Sequence, residues 1–136
     1  MANLNVEDLM STALLTVSPS DEIGAADMDM RLAGIRHFPV VDEHNNLLGV
    51  VSDRDVLRQI GAAGGGKVKI SDIMTRDVET TTADTAAADA LELMLDKKIG
   101  CLPVTAEDDN HLVGMITETD FLQVALKALN DEDLSR

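Results

Sequence analysis

The sequence predicts an α/β (α+β) fold written twice: two pseudo-twofold related repeats, each a small three-stranded sheet with flanking helices, the two sheets packed on each other. Three observations carry this. GVVSDRDVL at 49–57 returns 65 residues later as GMITETDFL at 114–122. Three further blocks return in the same order at a spacing of 64: VEDLMST at 6–12 with ISDIMTR at 70–76, TVSPSD at 16–21 with TTTADT at 80–85, and IRHFPVV at 35–41 with IGCLPVT at 99–105. One extra residue in the AEDDNH turn separates the two spacings, so the copies are offset as two halves of one design rather than as scattered coincidences.

Each repeat opens with a short helical stretch, VEDLM or ISDIM, whose acidic first turn suits a helix N-terminus. LLTV and VETT follow, rich in β-branched residues and therefore extended. A helix is expected from about Ser20 to Gly34 and from Asp84 to Lys98, with Ser20 and Asp84 as N-caps. Along it Ile23, Ala26, Met30 and Ala33 recur at helical spacing, matched by Ala87, Ala90 and Met94, as core or subunit contact. FPVV and LPV read as short strands joined by the polar turns DEHNN and AEDDN to LLGVV and LVGMI. Gly49 and Gly114 stand inside those second strands, where glycine marks a bend or a close backbone approach. A last helix begins at Ser52 and at Thr117, each capping an acidic first turn.

The chain of 136 residues is long enough for one compact domain or two half-size units sharing a core. It has no apolar run of membrane-spanning length and no basic-then-apolar opening, so a cytoplasmic location is expected. Cys101 is the single cysteine and no Cys/His cluster exists, which removes disulfide, zinc and dithiol readings. Phe38 and Phe121 are the only aromatics, so packing is aliphatic. The net charge of −14 argues against binding nucleic acid or an anionic membrane. An anionic small ligand would need a local cluster of positive charge.

No catalytic constellation is present, and no enzyme is expected. GAAGGGK at 61–67 matches the opening of a phosphate-binding loop, but Val68 replaces the magnesium-holding hydroxyl and the run follows a helix. It reads as a flexible linker. Cys101 reads as a small buried hydrophobe, and Asp108, Asp109 and Asn110 as a turn.

In its paired LPV and G-h-h-[ST]-x-x-D signatures, over about residues 4–126, the chain resembles a tandem pair of CBS domains, named from cystathionine β-synthase and together called a Bateman module. The resemblance sets repeat one at 4–62, a linker at 63–69, repeat two at 70–129 and an acidic tail at 130–136. It implies a regulatory module that binds AMP, ADP or ATP in clefts between the repeats and signals to a protein partner the chain does not name. It also implies disc-like homodimers and no catalysis; no metal-ligating residue is read, and whether magnesium accompanies the ligand stays open. The alternatives are a ligand-free scaffold with the same fold, or a receptor for S-adenosylmethionine or a similar adenosyl ligand.

Asp55 and Asp120 would each accept both hydroxyls of a ribose, with Ser52 and Thr117 and the helix N-termini meeting a phosphate. The competing reading of Ser/Thr-x-x-Asp is a capping box, and both roles can coexist. Arg36, His37 and Arg54 supply basic groups to the first site, where Gly100, Cys101 and the neutral Thr119 stand in the second. The Asp55 site is therefore expected to prefer AMP, ADP or ATP, and the Asp120 site to be weak, empty or filled by a less charged ligand. From the resemblance, the extended segment of the opposite repeat completes each site: Ala13, Leu14 and Leu15 near Asp120, and Asp77, Val78 and Glu79 near Asp55. The backbone at Phe38–Pro39 and Leu102–Pro103 completes the set.

Overall fold

The computed structural model describes residues 3–62 and 65–130. Residues 63 and 64 of the expected linker, and residues 131–136 of the expected tail, lie outside the described residues. In chain order the elements are α1 (Val6–Leu9), α2 (Ile23–Ala33), β1 (His37–Val41), β2 (Leu47–Ser52), α3 (Asp53–Ile60), a 3-10 turn (Gly65–Lys67), α4 (Ile70–Ile73), α5 (Ala87–Lys97), β3 (Cys101–Thr105), β4 (Leu112–Thr117) and α6 (Glu118–Leu129).

The chain divides into two compact units: Leu15–Val78, and Met1–Leu14 with Glu79–Arg136. The opening of each repeat thus travels with the body of the other. In the first unit Thr75 bonds to Val50 of β2 in both directions at 2.9 Å. In the second, Ser11 and Met115 of β4 do the same at 2.8 and 3.0 Å.

Each hairpin, β1–β2 and β3–β4, is a two-stranded antiparallel ladder with an irregularity one residue before the end of its first strand. The expected third strand is reduced to a single parallel bridge, Val17 to Val40 and Thr81 to Val104. The reason lies in the next residues. At Ser18–Asp21 the chain already turns back, with the Ser18 N–H bonded to the Asp21 carboxylate at 2.9 Å, so pairing does not continue past Val17.

The same turn displaces the expected helix start. α2 begins at Ile23 behind Glu22, not at Ser20, and α5 begins at Ala87 behind Ala86, not at Asp84. Asp84 instead accepts the Thr82 hydroxyl at 2.8 Å. The first donors of both helices are taken by distant carbonyls: Ile23 N–H by Val68 at 2.9 Å, and Ala87 N–H by Leu4 at 2.8 Å. No side-chain cap is needed there.

The helical stripe proves to be core. Ile23, Ala26 and Met30 pack with Val17, Phe38, Val40, Val51, Val56, Ile70 and Met74 in the first unit. Ala90 and Met94 pack with Val6, Leu102, Val104 and Ile116 in the second. Ala33, expected in the stripe, is exposed in the last turn of α2. Val6 from the first repeat is wholly buried in the second repeat's core, which fixes the exchange of segments.

In the segment read as a flexible linker, Gly61, Ala62 and Lys67 are exposed. Gly65 is buried, and its N–H bonds to the Ala62 carbonyl at 2.9 Å.

Candidate functional site

The predicted residues gather at one end of each hairpin. In the first unit Ser52 closes β2 and caps α3. Asp55 N–H donates to Ser52 Oγ, and Ser52 N–H donates to Asp55 Oδ2, both at 3.2 Å. His37 stands opposite Ser52 in the ladder, and the Asp53 N–H donates to the Arg36 carbonyl at 2.8 Å. Ladder register and cap together bring Arg36, His37, Ser52, Asp53 and Asp55 into one neighbourhood. Arg36 and Arg54 are exposed, and His37 is half-buried. Pro39 is buried opposite Val50.

The second unit repeats the plan. Thr117 closes β4 and caps α6. Its N–H donates to Asp120 Oδ2 at 2.9 Å, and its hydroxyl reaches the same oxygen at 3.4 Å. Cys101 stands opposite Thr117, and the Glu118 N–H donates to the Gly100 carbonyl at 3.0 Å. Pro103 is buried opposite Met115, and Thr119 is exposed.

Both aspartates therefore serve their own helices. The cap occupies Oδ2, and a carboxylate offers about four acceptor positions, so capacity remains for a diol. Burial raises the Asp120 carboxyl above its ordinary value, and the bonds from Thr117 oppose that. Burial also pushes the Cys101 thiol up to about 12, with the Glu118 charge adding to it. The thiol is neutral at physiological pH, and Glu118 acts on it electrostatically.

The strand glycines admit the exchanged segments. A Cβ on Gly49 would collide with the Thr75 carbonyl oxygen. One on Gly114 would meet Met10 Sδ at 2.8 Å and the Ser11 oxygen at 3.0 Å. Each site's hairpin is thus flanked by the opposite repeat, as far as Thr75 and Ser11. Beyond those points Val78, expected near Asp55, falls in the same unit as Asp55. Val78 is half-buried and donates its N–H to the Arg76 carbonyl at 2.9 Å. Leu15 is 50% exposed, at the first position of the first unit.

Two hollows open in the first unit. One of about 390 Å³ is bordered by Arg31, Arg36, Asp53 and Leu57 between α2 and α3, without Ser52 or Asp55. A larger one of about 750 Å³ lies at the far end of β1, around Asp42 and Lys69, and holds no predicted site residue. Asp53 and Glu118, the first acids of the expected acidic turns, tie each cap through their backbone N–H to the residue before β1 and β3.

Comparison with known proteins agrees with this plan. The family model described as "CBS domain" matches residues 6–62 and 70–127. An inosine-5'-monophosphate dehydrogenase of Methanocaldococcus jannaschii is 35% identical over 86% of this chain, but the chain spans only 23% of that enzyme's length. The CBS domain pair of protein MJ0100, solved with 5'-methylthioadenosine and S-adenosyl-L-methionine, superposes with a TM-score of 0.84 at 27% identity, covering 93% of this chain and 99% of that one. CBSX2 in complex with AMP gives a TM-score of 0.81 at 29% identity, covering 92% and 98%. Two matched copies, each ending on the same capped helix, make this chain a member of the CBS domain family carrying a tandem pair.

Proposed function

We propose that this chain is a regulatory module that binds adenosine nucleotides, AMP, ADP or ATP, and passes its occupied or empty state to a protein partner. The observation that carries the reading is the twice-built pair of a helix-capping hydroxyl and a carboxylate with acceptor capacity to spare, Ser52 with Asp55 and Thr117 with Asp120. Each carboxylate would take the two ribose hydroxyls in charge-assisted bonds. The first-turn amides of α3 and α6 favour a phosphate nearby. Complexes of similar CBS pairs with AMP and with adenosyl thio compounds support the ligand class. The ligand acts as a regulator, with no chemical step, and a cytoplasmic location goes with this reading.

The module would signal by favouring one arrangement of the chain over another. A homodimer fits the apolar side chains left on its helices: Met28 and Leu32 on α2, Leu57 on α3, Leu95 on α5, and Leu122, Leu126 and Leu129 on α6.

One observation favours a second reading, a scaffold that kept the fold without a ligand. The carboxylates of Asp55 and Asp120 already have a structural task as capping partners. Thermal unfolding with AMP, ADP, ATP, NADH and S-adenosylmethionine separates the two. A ligand present at a hundred times its dissociation constant stabilises by about 2.7 kcal/mol. Absence of a shift with all five would leave the scaffold.

A further inference from the structure

We infer that the larger hollow of the first unit is a separate site for a small ligand with one carboxylate and two cationic nitrogens, a basic α-amino acid such as arginine or lysine. The hollow borders none of the capping residues, so this inference does not rest on the adenosyl reading.

Three stretches of chain wall the hollow of about 750 Å³: 16–21, 41–43, and the start of α4 with Lys69 before it. Backbone bonds tie them into one frame. The Val41 N–H donates to the Val17 carbonyl at 3.0 Å, and the N–H groups of Ile70 and Ser71 donate to the carbonyls of Asp21 and Pro19, both at 2.9 Å. The volume is that of a small-molecule site, for which about 300–1,000 Å³ is usual.

The wall carries Asp21, Asp42 and Glu43 against Lys69, with the hydroxyls of Ser18, Ser20 and Ser71 as well. Lys69 forms an ion pair with none of the three acids. Among the described residues no three acids converge closely enough to hold a metal ion. Charges of both signs therefore line one space without meeting, which suits a ligand that carries both signs and spans the gap. Carboxylates outnumber the ammonium, so the ligand needs more cationic groups than anionic ones. A guanidinium or ammonium takes a carboxylate in charge-assisted bonds, and the Lys69 ammonium takes the ligand's own carboxylate.

Two of the acids are already set in place. Asp42 Oδ1 accepts the His44 and Asn46 N–H groups, each at 2.9 Å. The backbone bond from Asn46 foremost holds the Asp42 carboxyl below its ordinary value, so it stays ionised at neutral pH. Asp21 Oδ2 accepts the Ser18 N–H at 2.9 Å, and a carboxylate has about four acceptor positions.

The second unit has the same frame without these charges. Lys69 bridges Glu22 where Asn5 bridges Ala86. The Asp42 N–H donates to the Asn46 carbonyl where the Ala106 N–H donates to that of His111, both at 3.0 Å. The Ile70 N–H meets the Asp21 carbonyl where the Val6 N–H meets that of Thr85. Asn5, Ala106 and Thr85 thus stand for Lys69, Asp42 and Asp21. There Asp84 and Glu107 hydrogen-bond to each other, which raises the Glu107 carboxyl, whereas the matching Ser20 and Glu43 border the open hollow. The charged wall belongs to repeat one.

The test is calorimetric titration of the full chain with L-arginine, L-lysine and agmatine, which is arginine without its carboxylate. It is run on the wild type, Lys69→Gln, Asp42→Asn and Asp55→Asn, with circular dichroism confirming that each variant is folded. The wild type should bind both amino acids and hold agmatine about fivefold more weakly than arginine, the worth of one exposed charge pair. Lys69→Gln should bring arginine down to the agmatine level, Asp42→Asn should weaken all three ligands, and Asp55→Asn should change none. In amide NMR spectra arginine should move the signals of Ser18, Asp42 and Ser71 and leave those of Ser52 and Asp55 in place.

No heat with either amino acid, agmatine bound as tightly as arginine, or signals moved only in α3 would overturn the site. The comparison of arginine with agmatine is made on the wild type, so it stands even where a variant fails to fold.

Discussion

At the scale of single residues, Gly49 and Gly114 look alike in sequence but are constrained differently. Alanine at Gly49 drives a methyl into a backbone carbonyl that is itself held by Val50, so neither partner can move cheaply. Gly49→Ala is expected to cost about 2–3 kcal/mol, within the range for overpacking a tight site. Gly114→Ala first meets the flexible Met10 thioether and should cost about half as much. Urea unfolding of the two variants checks the order.

Cys101 gives a second residue-scale prediction. With its thiol pushed from 9.0 to about 12, the folded chain keeps a proton that the unfolded chain loses, so stability falls as pH rises through that window. The folded protein should also hold about a thousandth of the thiolate of an exposed cysteine at pH 8. Iodoacetamide should then label Cys101 slowly until denaturant is added, and Cys101→Ala should flatten the alkaline loss of stability.

Among the elements, the hairpins and the last helix of each repeat were legible in the sequence because their determinants are local. Ser52-x-x-Asp55 and Thr117-x-x-Asp120 are complete capping signals within four residues, and the polar turns announce the ladders. The starts of α2 and α5 were not legible. Their first N–H groups are satisfied by Val68 and Leu4, far along the chain, so the nearby Ser20 and Asp84 were free to form turns instead. The third strand keeps only its last residue, Val17, bridged to Val40, and the turn at Ser18–Asp21 stops it from continuing.

The two helix ends offer a test of the same local logic. α2 ends on Gly34 with φ of 67°, but α5 ends on Lys98 with φ of 56°, in a region that disfavours a side chain. Lys98→Gly should relieve that strain and stabilise the chain by about 1 kcal/mol, read as a higher urea midpoint with an unchanged slope.

On the scale of the whole molecule, the repeat was legible but the exchange of openings was not. VEDLMST and ISDIMTR are each apolar enough for either core, and nothing in their spacing says which one they enter. The structure assigns Val6 to the core of Ala90, Met94, Leu102, Val104 and Ile116. Val6→Ala should therefore destabilise by about 2 kcal/mol, combining lost transfer energy with a residual cavity. In hydrogen exchange the loss of protection should concentrate in β3, β4 and α5.

The capping residues Ser52, Asp55, Thr117 and Asp120 were legible for the same local reason. What the module binds hangs on the remaining acceptors of Asp55 and Asp120. The most direct measurement is calorimetry of AMP against its 2',3'-dideoxy analogue, on the wild type and on Asp55→Asn. The account predicts that the wild type loses at least a hundredfold in affinity without the diol, and that Asp55→Asn binds both ligands weakly and alike. Equal affinity of the wild type for the two ligands would contradict it.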